Sequence, residues 1–232
     1  MNLVSLKDIV FGYSHTPVLD KVSLDIESGE FVGITGPNGA SKSTLIKVML
    51  GMLKPWEGTV TISKRNTEGK RLTIGYVPRQ KFLHLMPAFR ARCWSLFSQY
   101  CYTKGKWFKR LNEEDHLEVE KALKMVEMWE LRHRKIGDLS GGQKQKICIA
   151  RMLASNPDLL MLDEPTTAVD YDSRKGFYEF MHHLVKNHNR TVVMVTHEQN
   201  EVQQFLDKVI RLERGEKGGW KCLTWNSCDE LF

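Results

Sequence analysis

GPNGASKST, residues 36–44, follows the apolar run FVGIT and brings two glycines, a lysine and three hydroxyls into nine positions. A strand that feeds a glycine-rich turn and opens a helix gathers backbone N–H groups and the positive end of a helix dipole around one point. That arrangement suits a polyphosphate. Gly36, Pro37, Asn38, Gly39, Ala40, Ser41, Lys42, Ser43 and Thr44 are the candidate contacts; Lys42 would reach the β- and γ-phosphates and Ser43 would offer its hydroxyl to Mg²⁺. The strict pattern GxxxxGK[ST] asks for glycine where Ser41 stands, and a side chain there crowds the approach of backbone to phosphate. A plain strand–turn–helix connection would not call for this order of lysine and hydroxyls.

LLMLDEP, residues 159–165, supplies a second group. Four apolar residues bury a strand that delivers Asp163 at its carboxyl end, where open α/β sheets bind ligands. Asp163 would hold Mg²⁺ directly or through water, and Glu164 is the candidate to polarise an attacking water. An acid pair after an apolar strand says little alone; far downstream of a phosphate loop it says much more. LSGGQ, residues 139–143, follows the same logic. Ser140 and Gln143 form a capping box for the next helix. The cap accounts for Ser140 and Gln143 but not for Gly141 and Gly142, which leave bare N–H groups to face an anion.

With these motifs in this order, the chain resembles the nucleotide-binding subunit of ABC transporters, over residues from about 3 to 212. The resemblance implies ATP and Mg²⁺ as cofactors and hydrolysis of ATP in a head-to-tail dimer of two copies. There Ser140, Gly141, Gly142 and Gln143 act in trans on the nucleotide held by the other copy. It implies that Tyr13, in VFGY, stacks on adenine, although a Tyr near a strand end is as often simple packing. His197, in VTHE, matches a histidine that senses the γ-phosphate, and Asp170, in TTAVD, an aspartate of the loop linking the two sites. The family's glutamine should follow IGYVP; here Arg79 follows Pro78 and Gln80 comes one place late. Gln80 is therefore the candidate for contact with Mg²⁺ and the attacking water.

Residues 78–102, PRQKFLHLMPAFRARCWSLFSQYCY, contain no Asp, Glu, Gly, Asn, Thr, Val or Ile. One reading is a product of two compensating frameshifts over about 79–102, because an alternate frame across His84–Phe97 permits F-N-A-G-F-P-S-T-V-L-E-F-V, a string similar to the family's segment. The other is a divergent helical insertion rich in aromatics. On the first reading nucleotide binding survives, and coupling to a permease fails as exposed Phe, Trp and Tyr replace the docking surface. Downstream, KGKWFKRLN (104–112), KMVEMWELR (124–132), FYEFMHH (177–183) and WKC (220–222) resemble the ATPase subunit of zinc-uptake systems, with manganese or iron uptake as neighbours. This implies an integral membrane permease as partner, an extracellular metal-binding protein acting indirectly, and a place on the cytoplasmic face of the membrane. KGKWFKR also reads as a basic aromatic patch for RNA; beside a bilayer it would face head groups or the permease.

Elements must position these residues. Strands are expected at 3–10, 22–26, 30–36, 58–62, 72–77, 159–163, 191–195 and 208–212, and helices from Lys42, over 113–129, over 141–155 and over 172–188. The alternation predicts an α/β fold: a P-loop NTPase core of ABC ATPase type with an N-terminal antiparallel β part and a helical subdomain inserted before LSGGQ. The whole of 1–232 reads as one domain, with a core at about 1–78 and 140–212, the helical subdomain at 80–139 and a C-terminal extension at 213–232. Of the net charge of +6, four charges come from Arg79, Lys81, Arg90 and Arg92, which leaves +2 elsewhere and argues against nucleic acid as a partner. Five cysteines, an odd number with no CxxC pair, and no leader at Met1 favour a reducing cytoplasm; Cys148 reads as core. His182, His183 and His188, or Cys222 with Cys228, fit no dense zinc-ligand spacing. Two other function classes stay open: a non-transport ABC ATPase on nucleic acid or ribosomes, which the short chain disfavours, and a binding-only module, which Ser41 and the altered loop favour.

Overall fold

The computed structural model describes residues 1–79, 93, 97, 113–166, 171–215 and 218–226. Nine strands among them are β1 (Asn2–Phe11), β2 (Leu19–Glu27), β3 (Phe31–Thr35), β4 (Glu57–Ile62), β5 (Ile74–Val77), β6 (Leu159–Asp163), β7 (Thr191–Val195), β8 (Lys208–Arg214) and β9 (Trp220–Asn226). They form one sheet in the order β4-β1-β2-β9-β8-β3-β7-β6-β5. Helices among the described residues include α1 (Lys42–Met49), α2 (Glu113–Met125), α3 (Gly141–Leu153), α4 (Tyr171–His188) and the short α5 (Gln199–Val202).

Every residue of β3, β6 and β7 is buried, which is what unbroken apolar runs do in a parallel sheet covered on both faces. Alternate residues serve the two faces. Val32, Ile34, Leu159, Met161, Val193 and Val195 pack with α1 and with β1 and β2. Phe31, Leu160, Leu162, Val192 and Met194 pack with residues of α2, α3 and α4. β2 instead alternates buried and exposed residues, as suits the antiparallel ribbon of β4, β1 and β2.

The parallel register then decides where the chemistry can sit. Ile34 and Asp163 both stand opposite Val195, and Val77 stands opposite Leu162. The carboxyl ends of β5, β6, β7 and β3 therefore lie side by side on one edge. The strands expected at 159–163 and 191–195 match β6 and β7 residue for residue. The expected last strand, 208–212, runs on to Arg214, and a further strand, β9, lies in the 213–232 extension, where the sequence reading placed no strand; it pairs antiparallel with β8 and meets β2 at Leu19. Its pattern is half exposed, so no apolar run announced it. Cys148, read as core, is only partly buried, although burial pushes its thiol up to about 11.

The opposite edge of the parallel sheet is tied by one carboxylate. Asp158, just before β6, accepts from the Thr73 N–H and hydroxyl at 2.8 Å each, from Asn66 at 3.0 Å and from Arg190 at 3.1 Å. It thus joins the starts of β5, β6 and β7. Burial opposes its ionisation, but the bonds from Asn66, Thr73 and Arg190 outweigh burial and hold the carboxyl below its usual range. A group depressed in the folded state contributes stability that is present above its unfolded pKa and lost as pH falls through the folded one. Asp158→Ala should therefore cost about 2 kcal/mol at pH 7. In urea unfolding followed over pH, the gap between variant and parent should shrink below about pH 4.

Candidate functional site

The turn after β3 is built on backbone that ordinary residues avoid. Gly36 has φ 142°, and a Cβ there would lie 2.9 Å from the Leu212 carbonyl oxygen. Ser41 takes the left-handed conformation, φ 59° and ψ 25°, and caps α1 with no side-chain hydrogen bond. The second glycine's geometry is thus kept without the glycine. Lys42, 5% exposed, donates from Nζ to the carbonyl oxygens of Gly36 and Pro37, each at 2.8 Å. Burial holds its amine below the usual lysine range; Glu164 and Asp163 pull the other way, while Arg79 adds to the depression. Ser43 Oγ donates to Asp163 Oδ1 at 2.9 Å, and the hydroxyls of Thr44 and Tyr13 are 3.1 Å apart. Tyr13 is largely exposed, with its ring set edge-on against Phe11. Asn38 and Ala40 complete the turn, Ala40 buried and Asn38 exposed beside a cavity.

The acid pair emerges from β6 beside this turn. Burial pushes the Asp163 carboxyl up, opposed by the bond from Ser43 and reinforced by Glu164. Glu164 has φ 52° and donates its N–H to Val195 O at 3.2 Å, a left-handed kink of the kind that aims side chains at functional sites. Only 4% exposed, its carboxylate lies 2.9 Å from His197 Nε2 through Oε1 and 2.9 Å from Arg79 Nη2 through Oε2. These groups border a cavity of about 270 Å³ with Asn38, Thr166, Thr196 and Glu198.

Thr166, Thr196 and Glu198 lie in the quoted stretches TTAVD and VTHE, but the sequence reading gave them no role. Glu198 Oε2 accepts from the Thr166 and Thr196 hydroxyls at 3.3 Å and from Tyr178 at 3.4 Å, and its Oε1 from Arg174 at 2.7 Å. The network fixes the turn that carries His197. Ser140 and Gln143 form the expected reciprocal cap, at 3.2 and 3.1 Å, with Gly141 and Gly142 opening α3. None of these four residues lines the cavity. Gln80 and Asp170 lie outside the described residues. Among the described residues no group of three His, Cys, Asp or Glu could hold a metal ion, and no helix is long and apolar enough to cross a membrane.

Residues 19–167 match the family model described as ABC transporter. The chain belongs to the ABC transporter family. The cassette is 91% identical, over the full length of both chains, to the high-affinity zinc uptake system ATP-binding protein ZnuC of Bacillus subtilis strain 168. It is 44% identical to the zinc transport system ATP-binding protein AdcC of Streptococcus pneumoniae, over 97% of this chain and 95% of that one. Among solved structures it is similar to a dimeric ATP-binding cassette in a post-hydrolysis state with ADP and Pi bound, with TM-score 0.77, 29% identity and coverage of 97% and 99%. The fold is the α/β P-loop fold of such cassettes.

Ser41 offers a direct test of the turn's strain. Ser41→Gly removes the left-handed penalty and should raise Tm by about 2 °C, net of glycine's greater unfolded entropy. Ser41→Val, a β-branched residue in the same conformation, should lower Tm instead. Thermal unfolding of the two variants in parallel checks both signs.

Proposed function

We propose that the cassette binds MgATP and hydrolyses it within a head-to-tail dimer as the ATPase subunit of a zinc-uptake system with a separate membrane permease, and that the stretch 79–102 impairs its coupling to that permease. One observation carries the hydrolytic part: a buried Glu164, aimed by a kinked backbone, borders a cavity that begins at the phosphate turn.

The roles follow from the donors available. An ammonium has three N–H groups and Lys42 uses two on its own turn, which leaves the third for a phosphate oxygen. Ser43 and Asp163 offer adjacent hard oxygen ligands, the donor type that suits Mg²⁺. Bound there, Mg²⁺ would neutralise charge on the β- and γ-phosphoryl oxygens. Water attacks the γ-phosphorus as its bond to the bridging β-oxygen breaks; Glu164 takes the water's proton, and ADP and phosphate leave. His197 orients Glu164 and reports on the γ-phosphate. Tyr13 would stack on adenine, Gln80 would contact Mg²⁺ and water, and Asp170 would lie in the loop between the two sites.

Ser140, Gly141, Gly142 and Gln143 present a capped helix end away from their own cavity, which supports their use on the nucleotide of a second copy. The dimeric solved relative supports the same arrangement. The permease would hold the cassette at the cytoplasmic face of the membrane, and an extracellular metal-binding protein would pass zinc to the permease without touching this chain. The zinc assignment rests on the relatives' names. Their 91% identity to this chain at best leaves about 21 differing positions, close to the 24 residues of the unlike stretch 79–102. That agreement in number is what an altered segment at 79–102 would produce, and a docking segment so altered would impair coupling.

Glu164→Gln should keep ATP affinity within a few-fold while lowering kcat by at least about 100-fold. Lys42→Ala should weaken nucleotide binding by more than about 10-fold. Equal turnover in parent and Glu164→Gln would remove hydrolysis from the proposal. For transport, vesicles carrying the permease should show ATP hydrolysis with little zinc accumulation; accumulation at the rate of the ZnuC relative would refute impaired coupling.

A further inference from the structure

We infer that Arg79 is a positioning residue that restrains Glu164 and so holds turnover down while favouring nucleotide binding. The inference rests on Glu164 being the hydrolytic base.

The register sets up the encounter. Val77 pairs with Leu162 in the parallel β5–β6 ladder, so the chain two places on brings residue 79 level with Glu164. Pro78 lies between and fixes the backbone leaving β5. Whatever stands at 79 faces the carboxylate, and here it is a guanidinium, 2.9 Å from Oε2. The other oxygen is 2.9 Å from His197. Each oxygen of Glu164 therefore meets a nitrogen, and one of the two belongs to a guanidinium. A carboxylate must give an oxygen to the attacking water before it can accept a proton, so the charge-assisted contact with Arg79 has to loosen first.

The same guanidinium acts on the neighbouring groups. It meets Glu164, the residue next to Asp163, and Asp163 in turn accepts from Ser43 at 2.9 Å. The guanidinium's field thus covers the Ser43–Asp163 pair, where a second cation must sit, and the turn that receives phosphate anions. One charge in this place opposes Mg²⁺ and attracts phosphate. The expected signature is tight nucleotide binding, a raised Mg²⁺ requirement and a low kcat.

Arg79 can be replaced without opening the core. Its side chain is 52% exposed while that of Glu164 is 4% exposed, so the guanidinium reaches in from the surface. With Arg79 gone, the His197 contact and the backbone bond to Val195 still hold Glu164 in place.

The test uses the purified full chain as parent, Arg79→Gln, Arg79→Lys, Glu164→Gln and the double variant Arg79→Gln/Glu164→Gln. Three readings are taken: steady-state ATP hydrolysis, Mg²⁺ titration of the rate, and binding of a fluorescent ATP analogue. Arg79→Gln should raise kcat by about 10-fold, lower the Mg²⁺ concentration for half-maximal rate, and weaken binding of the analogue. Arg79→Lys, which keeps the charge, should stay near the parent. Adding Glu164→Gln should erase the gain. The inference is overturned if Arg79→Gln leaves kcat unchanged or lowers it while Glu164→Gln abolishes turnover, a drop in kcat with weaker binding marking Arg79 as a phosphate ligand. A gain that survives in the double variant overturns it too. If Glu164→Gln hydrolyses like the parent, or if no variant hydrolyses ATP while the analogue still binds, the hydrolysis reading falls and this inference falls with it.

Discussion

Two adjacent carboxylates leave a strand that has no surface of its own, and the site is organised around meeting their charge. Asp163 and Glu164 are 2% and 4% exposed, and a carboxylate so far from water is stable only when donors or cations replace its hydration. Neither strand β6 nor the turn after it can supply them. The partners come from three other strand ends: Ser43 beyond β3, His197 beyond β7 and Arg79 beyond β5. A parallel sheet delivers all three, because its strands end on one edge in matched register.

Lys42 and Asp163 show how evenly this edge is balanced. Burial moves both toward their neutral forms, the amine downward and the carboxyl upward. Each is returned part of the way by its neighbours, Lys42 by the two acids and Asp163 by the Ser43 hydroxyl. A site in this condition gains from any ligand that brings phosphate and metal charge together, since the ligand completes pairings that burial has made costly to leave undone.

The parts legible in the sequence are those set by local chemistry. β3, β6 and β7 were plain because a strand buried on both faces must be apolar throughout, and the Ser140–Gln143 cap because capping needs only residues three apart. The departure at Ser41 was visible, but its resolution was not: the backbone adopts the left-handed form with serine in place of glycine. Long-range pairings stayed hidden. β9 is half exposed and finds β8 by antiparallel pairing. The network of Thr166, Thr196, Tyr178 and Arg174 on Glu198 joins residues up to 32 positions apart. The pairing of Arg79 with Glu164 spans the whole inserted region, and only the β5–β6 register brings them level. Gln80 and Asp170 fall outside the described residues.

The helix end at Ser140–Gln143 argues that one copy holds half a site. The capping box satisfies the N–H of Gln143 and of Ser140 itself, but Gly141 and Gly142 sit in the first turn, where an α-helix has no internal acceptor for its N–H groups. Glycine adds no cap there and costs the helix conformational entropy, so propensity cannot explain the pair. Bare N–H groups at the positive end of α3 attract an anion, yet the cavity at Glu164 is lined by other residues. On the proposed reading the anion is a phosphate on a second copy's glycine turn, which has the required charge. On the proposed reading, two copies related head to tail would each complete the other, and hydrolysis would then be conditional on closure of the pair and would give a membrane partner a motion to follow.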